Sequence, residues 1–199
     1  MYARVVTFTG VNDVDGAVKQ LAETTQSILR TQRGYRGASA SADRSAGIVG
    51  ALSIWETEAD REASNSALAK ARDEIGRQLG AVMTIETFEE RVREMAKPPM
   101  VGSHLMLTRV RMDPGRVDDN VAYFKAEVLP LIKASPGFRA LRNMIDPHTG
   151  EGMVGTVWDD EATMRAAAEV AMARRGEATA RGVSFGETSY REIVFNDPA

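Results

Sequence analysis

Two tryptophans, two histidines and one glycine-rich run are the residues whose types could do chemistry in this 199-residue chain. There is no cysteine. Disulfides, thiolate metal sites and cysteine nucleophiles are therefore excluded. His104 and His148 have no second His or carboxylate at ligand spacing. No Ser-His-Asp or His-x-x-His pattern accompanies them, so both read as exposed structural residues, and neither a metal site nor a catalytic residue is predicted. Gly150-Glu151-Gly152-Met153-Val154-Gly155 matches G-x-G-x-x-G letter for letter. A dinucleotide site needs those glycines between a strand and a helix. Here they follow a turn and lead into a strand that ends at Trp158, so they read as a hairpin turn.

Trp55 and Trp158 each end a strand just before an acidic helix start. Each either fills the core between strand and helix, or lines a ligand pocket and offers its indole N–H to a substrate oxygen. Thr108 and Asn143 are the polar residues expected beside Trp158. Asn143 shares an alternation face with Leu141 and Ile145, where a polar group needs a backbone or ligand partner. Arg109 and Arg111 lie on a strand expected to be covered, and are read as pairing with acids such as Glu86, Glu89, Glu187 or Glu192. The predicted substrate-binding set is thus Trp158, Thr108, Asn143 and Trp55.

The elements that hold these residues occur twice. Tyr35 to Phe138 and Trp55 to Trp158 are both separated by 103 residues. Subtracting the same interval places the stripe Val117, Val121, Phe124, Val128, Leu131 on positions 14, 18, 21, 25 and 28, the apolar face of the first predicted helix. Such spacing predicts one continuous helix in each half. Each half reads as β-α-β-β-α-β. Strands are expected near 3–9, 35–42, 48–55 and 82–92, and again near 105–112, 138–145, 153–158 and 183–195. The helices are opened by acids and closed near Gly34, Gly80 and Ser135-Pro136-Gly137. Lys97-Pro98-Pro99 breaks both helix and sheet. The expected division is a first repeat over 1–93, a linker over 94–103 and a second repeat over 104–199. The predicted fold is α+β: tandem ferredoxin-like βαββαβ repeats packed sheet on sheet as an intrachain barrel. The second strand carries Ala38-Ser39-Ala40-Ser41 in one half and Leu141-Arg142-Asn143-Met144 in the other. Small residues leave space and large ones fill it, so the two halves should hold unequal pockets.

Pro136-Gly137-Phe138 followed by Val157-Trp158-Asp159-Asp160-Glu161-Ala162 resembles the antibiotic-biosynthesis monooxygenase-like family of the dimeric α+β barrel superfamily. Gly34-Tyr35 and Trp55-Glu56-Thr57-Glu58-Ala59 repeat the pattern, so the resemblance covers nearly the whole chain as two tandem copies. It implies a monooxygenase that needs no cofactor and acts on a small aromatic or polycyclic substrate. The alternative is a non-catalytic ligand-binding or stress-related protein on the same scaffold. Haem degraders of the family use an Asn on the first strand and a His on the second helix. Those positions fall near Val5–Thr7 and Thr108, and near Ser64–Asn65 and Ala167–Ala168, so haem breakdown is not expected.

The bulk numbers agree with a small-molecule partner. With 43% hydrophobic and 27% charged residues the chain is of ordinary globular composition. A net charge of −3 without a basic run argues against nucleic acid. No apolar run is long enough for a membrane span, and the N-terminus lacks a signal-peptide pattern, so a cytoplasmic location is expected. The fused repeat should work as a pseudo-dimeric monomer or as a homodimer of it.

Overall fold

The computed structural model describes residues 1–198. The chain folds as β1 (Tyr2–Thr9), α1 (Val14–Arg30), β2 (Tyr35–Asp43), β3 (Ile48–Trp55), α2 (Glu58–Leu79) and β4 (Val82–Met95). The order then repeats with β5 (His104–Arg111), α3 (Val117–Tyr123), α4 (Leu129–Ala134), β6 (Phe138–Ile145), β7 (Glu151–Trp158), α5 (Glu161–Ala180) and β8 (Ser184–Pro198). The fold class is the expected α+β arrangement.

Two compact units share these elements. Unit 1 is Met1–Thr87 with the chain from Glu192, and unit 2 is Phe88–Arg191. β4 and β8 are long enough to serve both. In unit 1 the end of β8 pairs with β2, from Gly37↔Pro198 to Ala42↔Glu192. In unit 2 the second part of β4 pairs with β6, from Glu89↔Ile145 to Met95↔Ala140. The weak propensity of Ala38–Ser41 is therefore overridden by pairing on both sides, with β3 and with β8.

The sheet registers match between the units. Tyr2 and Tyr35 both lie opposite Trp55, and His104 and Phe138 both lie opposite Trp158. Tyr35 meets Trp55 edge-on at 5.8 Å, and Phe138 meets Trp158 edge-on at 5.7 Å. Gly34 and Gly137 precede these aromatics at φ +71° and +77°, where a Cβ would collide with Asp60 or Thr163 at the next helix start. Thr57 caps α2 and Asp160 caps α5 through the amides three residues on. Arg36 pairs with Glu56 and, 103 positions later, Arg139 pairs with Asp159.

The units differ in their first helix. α1 is one 17-residue helix. Its counterpart is not the single helix that the apolar stripe predicts. A π-helical turn over Phe124–Val128 separates α3 from α4, and the Leu129 N–H bonds the Phe124 carbonyl five residues back. Pro130 supplies the reason. It has no N–H for the carbonyl four residues earlier, and its ring crowds that carbonyl, so the turn widens instead of continuing. The stripe accordingly divides. Val117 and Val121 are buried, whereas Leu131 is 41% exposed.

Candidate functional site

A cavity of about 460 Å³ lies in unit 2 between the sheet and its helices. Its floor is the inner face of β5, β6 and β7, including Met106, Thr108, Asn143 and Trp158. Its walls come from α3, the π turn and α4 and from α5, and Phe185 of β8 completes the lining. α5 rests on β5 and β7. Only Met164 and Ala168 of its 20 residues are buried. The wide turn at Phe124–Val128 and the shallow seat of α5 together leave the space open.

Trp158, Thr108 and Asn143 are therefore brought to one cavity. Trp158 is 1% exposed, and its indole N–H donates to Thr156 Oγ1 at 2.9 Å. That bond corrects the expectation that the indole would bind a substrate oxygen: the ring offers its face and edge, and its donor is already used. Thr108 shares a hydrogen bond with Thr188 at 3.2 Å, and Arg175 Nη2 donates to the same Thr188 hydroxyl at 2.8 Å. Asn143 is 4% exposed, and its side-chain oxygen has no partner.

The site has a further polar member, Asn120 on α3. It lines the cavity, is 5% exposed, and neither its amide nitrogen nor its oxygen has a partner. Its signal was present in the sequence: position 120 lies one turn from Val117 and beside Val121 and Phe124, on the apolar face. A buried amide without partners costs on the order of 1–3 kcal/mol. The Asn120 amide and the free Asn143 oxygen, both lining an apolar chamber, mark where a ligand's polar atoms can be received.

The mouth carries the charges. Tyr123 donates to Glu177 Oε2 at 2.8 Å, and the Arg181 guanidinium lies 4.4 Å from the Tyr123 ring centre. The bond to Glu177 raises the Tyr123 phenol above its ordinary value, which keeps it protonated. Glu127 is the other carboxylate of the lining and is exposed.

Trp55 is not at an equivalent site. It is fully buried and lies outside the lining of the small unit 1 cavity, about 60 Å³. The Arg4 guanidinium covers its ring at 5.8 Å, and its N–H donates to Ser53 at 3.1 Å. Unequal pockets were expected, but from the wrong cause: the half with the smaller strand residues is the one that Arg4, Leu29, Leu68 and Arg72 fill. Gly150 sits in the β6–β7 turn at φ +72°, where a Cβ would come within 1.9 Å of the Met112 carbonyl. The glycine run is thus a turn built against backbone. His148 lies in that turn and is exposed. His104 is paired across from Trp158 at the start of β5.

No family model matches the chain. Two uncharacterized proteins of Mycobacterium tuberculosis, Rv2557 and Rv2558, are 25% identical over 160 residues and 24% identical over 147. These alignments cover 80% and 73% of this chain and 71% and 62% of those proteins. Among solved structures, a candidate monooxygenase from Lactobacillus acidophilus superposes with a TM-score of 0.70 at 10% identity, covering 99% of this chain and 96% of that one. An anthrone oxidase-like protein gives 0.69 at 15% identity, over 100% and 93%. A heme-degrading enzyme from Listeria monocytogenes gives 0.54 at 8%, over 96% and 99%. These likenesses show that the chain shares the α+β fold of those structures.

The positions that the resemblance to haem degraders points to are Thr108 and Ala167–Ala168 in this unit, and the cavity lining contains no His. Among the described residues no three of His, Cys, Asp or Glu are grouped to hold a metal ion. The residues present do not fit haem held through histidine. No helix is long and apolar enough to cross a membrane.

Proposed function

We propose that the unit 2 cavity binds a small aromatic or polycyclic molecule bearing oxygen substituents, and that the protein oxidises it as antibiotic-biosynthesis-type monooxygenases do, without a cofactor of its own. One observation carries this reading: the unpartnered Asn120 amide and the unpartnered Asn143 side-chain oxygen line an apolar chamber of about 460 Å³ beside Trp158. Such a chamber holds a fused-ring ligand, with the Asn120 N–H donating to a phenolate or ketone oxygen and the Asn143 oxygen accepting from a hydroxyl. Likeness to an anthrone oxidase-like protein supports the same class.

The chain's part is binding, orientation and desolvation. An amide N–H donated to a developing phenolate or enolate favours ionisation. The released proton leaves toward Glu127 or water at the mouth. The ionised substrate passes an electron to dioxygen, and recombination gives a peroxide that loses water. A ring CH₂ and O₂ thereby become a ketone and H₂O. A second reading, binding without turnover, is favoured by the position of the carboxylates. Both Glu127 and Glu177 stand at the mouth, and no acid or base lies against the chamber floor.

Oxygen uptake with an anthrone- or dihydroxyanthracene-type substrate tests the enzyme, with quinone formation followed by absorbance. Turnover is expected, with a loss of at least about 10-fold in Trp158→Ala. Saturable quenching of tryptophan fluorescence without oxygen uptake would select the binding reading. No binding across a panel of such molecules would remove both.

A further inference from the structure

Unit 1 buries three arginines, and they are not equally provided for. α2 turns Arg61, Ser64, Leu68, Arg72 and Ile75 inward, so two guanidinium stems lie on its core face. Arg4 reaches the same region from β1. Arg4, Arg61 and Arg72 are 4%, 6% and 6% exposed. A guanidinium is always charged, has five donors and no acceptor, and is costly to bury without an anion.

Arg61 has its anions, Glu58 at 2.9 Å and Glu62 at 3.6 Å. Among the described residues, Arg4 donates to neutral acceptors, Ser64 Oγ at 2.9 Å and the Arg61 carbonyl. Arg72 donates to the neutral Asn65 side chain, while its Nε and Nη1 have no partner. Burial lowers the Arg72 guanidinium below its ordinary value, offset in part by the charge of its sequence neighbour Asp73. Burial, then the charges of Arg72 and Arg61, push Arg4 down to about 10. Arg4 and Arg72 both line the unit 1 cavity of about 60 Å³. The rest of that lining is mostly aliphatic and aromatic, with Leu21, Leu29, Leu68 and Phe8 prominent.

We propose that unit 1 carries an anion site of its own, in which Arg4 and Arg72 together receive a small carboxylate whose short apolar tail lies against Leu21 and Leu29. The planar guanidinium matches two carboxylate oxygens. Inorganic phosphate and sulfate also carry negative charge, but a mostly aliphatic wall gives their remaining oxygens few donors, the hydroxyls of Thr25, Ser39 and Ser53. The volume suits a tail of a few carbons, and a fused ring is far too large for it. The site is thus distinct in chemistry from the unit 2 cavity.

Thermal unfolding and calorimetry of the whole chain with butyrate, phosphate and chloride at matched ionic strength test this site. Butyrate at about 10 mM is expected to raise Tm by several degrees, with phosphate at least about 10-fold weaker by Kd and chloride without effect. Arg72→Met and, separately, Arg4→Met are expected to remain folded by circular dichroism and to lose the response, while Trp158→Ala keeps it. Arg72→Gln serves if either methionine variant fails to fold. Equal responses to butyrate and chloride would overturn the proposal, as would a response to phosphate alone or one that survives Arg72→Gln.

Discussion

Trp55 and Trp158 stand at matching register positions, each edge-on to an aromatic neighbour and each donating to a hydroxyl two residues back. One is sealed beneath Arg4, and the other borders a cavity of about 460 Å³. The tryptophan does not decide which half is open. What lies across from it does. Position 4 pairs with Ser53 and position 106 pairs with Thr156, so Arg4 and Met106 are equivalent. The long cation covers its tryptophan, whereas the thioether leaves room. The helices add to the contrast. α1 packs on α2, where Gln20 donates to Gln78. The broken α3–α4 segment and the shallow α5 instead line a cleft.

The largest effect expected from breaking this comparison is Trp55→Ala. It empties a sealed core site next to Tyr35 and Leu68 and should cost about 3–5 kcal/mol, read by chemical denaturation. Trp158→Ala should cost less, because its neighbours already border open space. Equal losses would mean that the two sites are packed alike.

Asn120→Leu and Asn143→Leu test the opposite side. If the amides serve a ligand, each replacement should stabilise the protein by about 1–3 kcal/mol while weakening aromatic-ligand binding at least about 10-fold. A loss of stability would show that they are structural.

Asp197 is held more fully in unit 1 than its counterpart Glu94 is in unit 2, where Lys133 pairs with Glu94 at 3.0 Å and Phe138 replaces Tyr35. Asp197 accepts from Arg30 at 2.6 and 3.1 Å and from the Tyr35 hydroxyl at 3.0 Å. The bonds from Arg30 hold its carboxyl below the usual carboxylate range. Because the folded value is below the unfolded one, the contribution is complete above about pH 4 and is lost as pH falls through the folded value. Asp197→Asn should cost about 2 kcal/mol at pH 7 and flatten that acid limb in a Tm-against-pH series. The smallest effect is expected from Pro130→Ala. Restoring an N–H lets the helix close across the π turn, with a gain of about 1 kcal/mol and a narrower cleft seen as weaker ligand binding. An unchanged affinity would separate the turn from the cavity.

The order of the elements, the strands and the turns were legible because they rest on local rules: glycines at positive φ, acids at helix starts, and alternation along strands. Gly137, Asp160 and Phe138–Ile145 needed nothing from the rest of the chain. Trp158, Thr108 and Asn143 were also legible as neighbours, since strand register follows from the hairpin. Asn120 and the π turn were missed because an intact apolar stripe hid one polar residue and one proline.

The sequence by itself determined the α+β order, the matched registers and the absence of thiol chemistry, all of which depend on residue type and short spacing. Only the tertiary structure decided which tryptophan borders a cavity. That outcome depends on the direction of Arg4 from a distant strand, on how far α5 stands from α3, and on the Asn120 amide and Asn143 oxygen left lining the gap. Volume is what remains after every side chain has been placed, and no short stretch of sequence carries it.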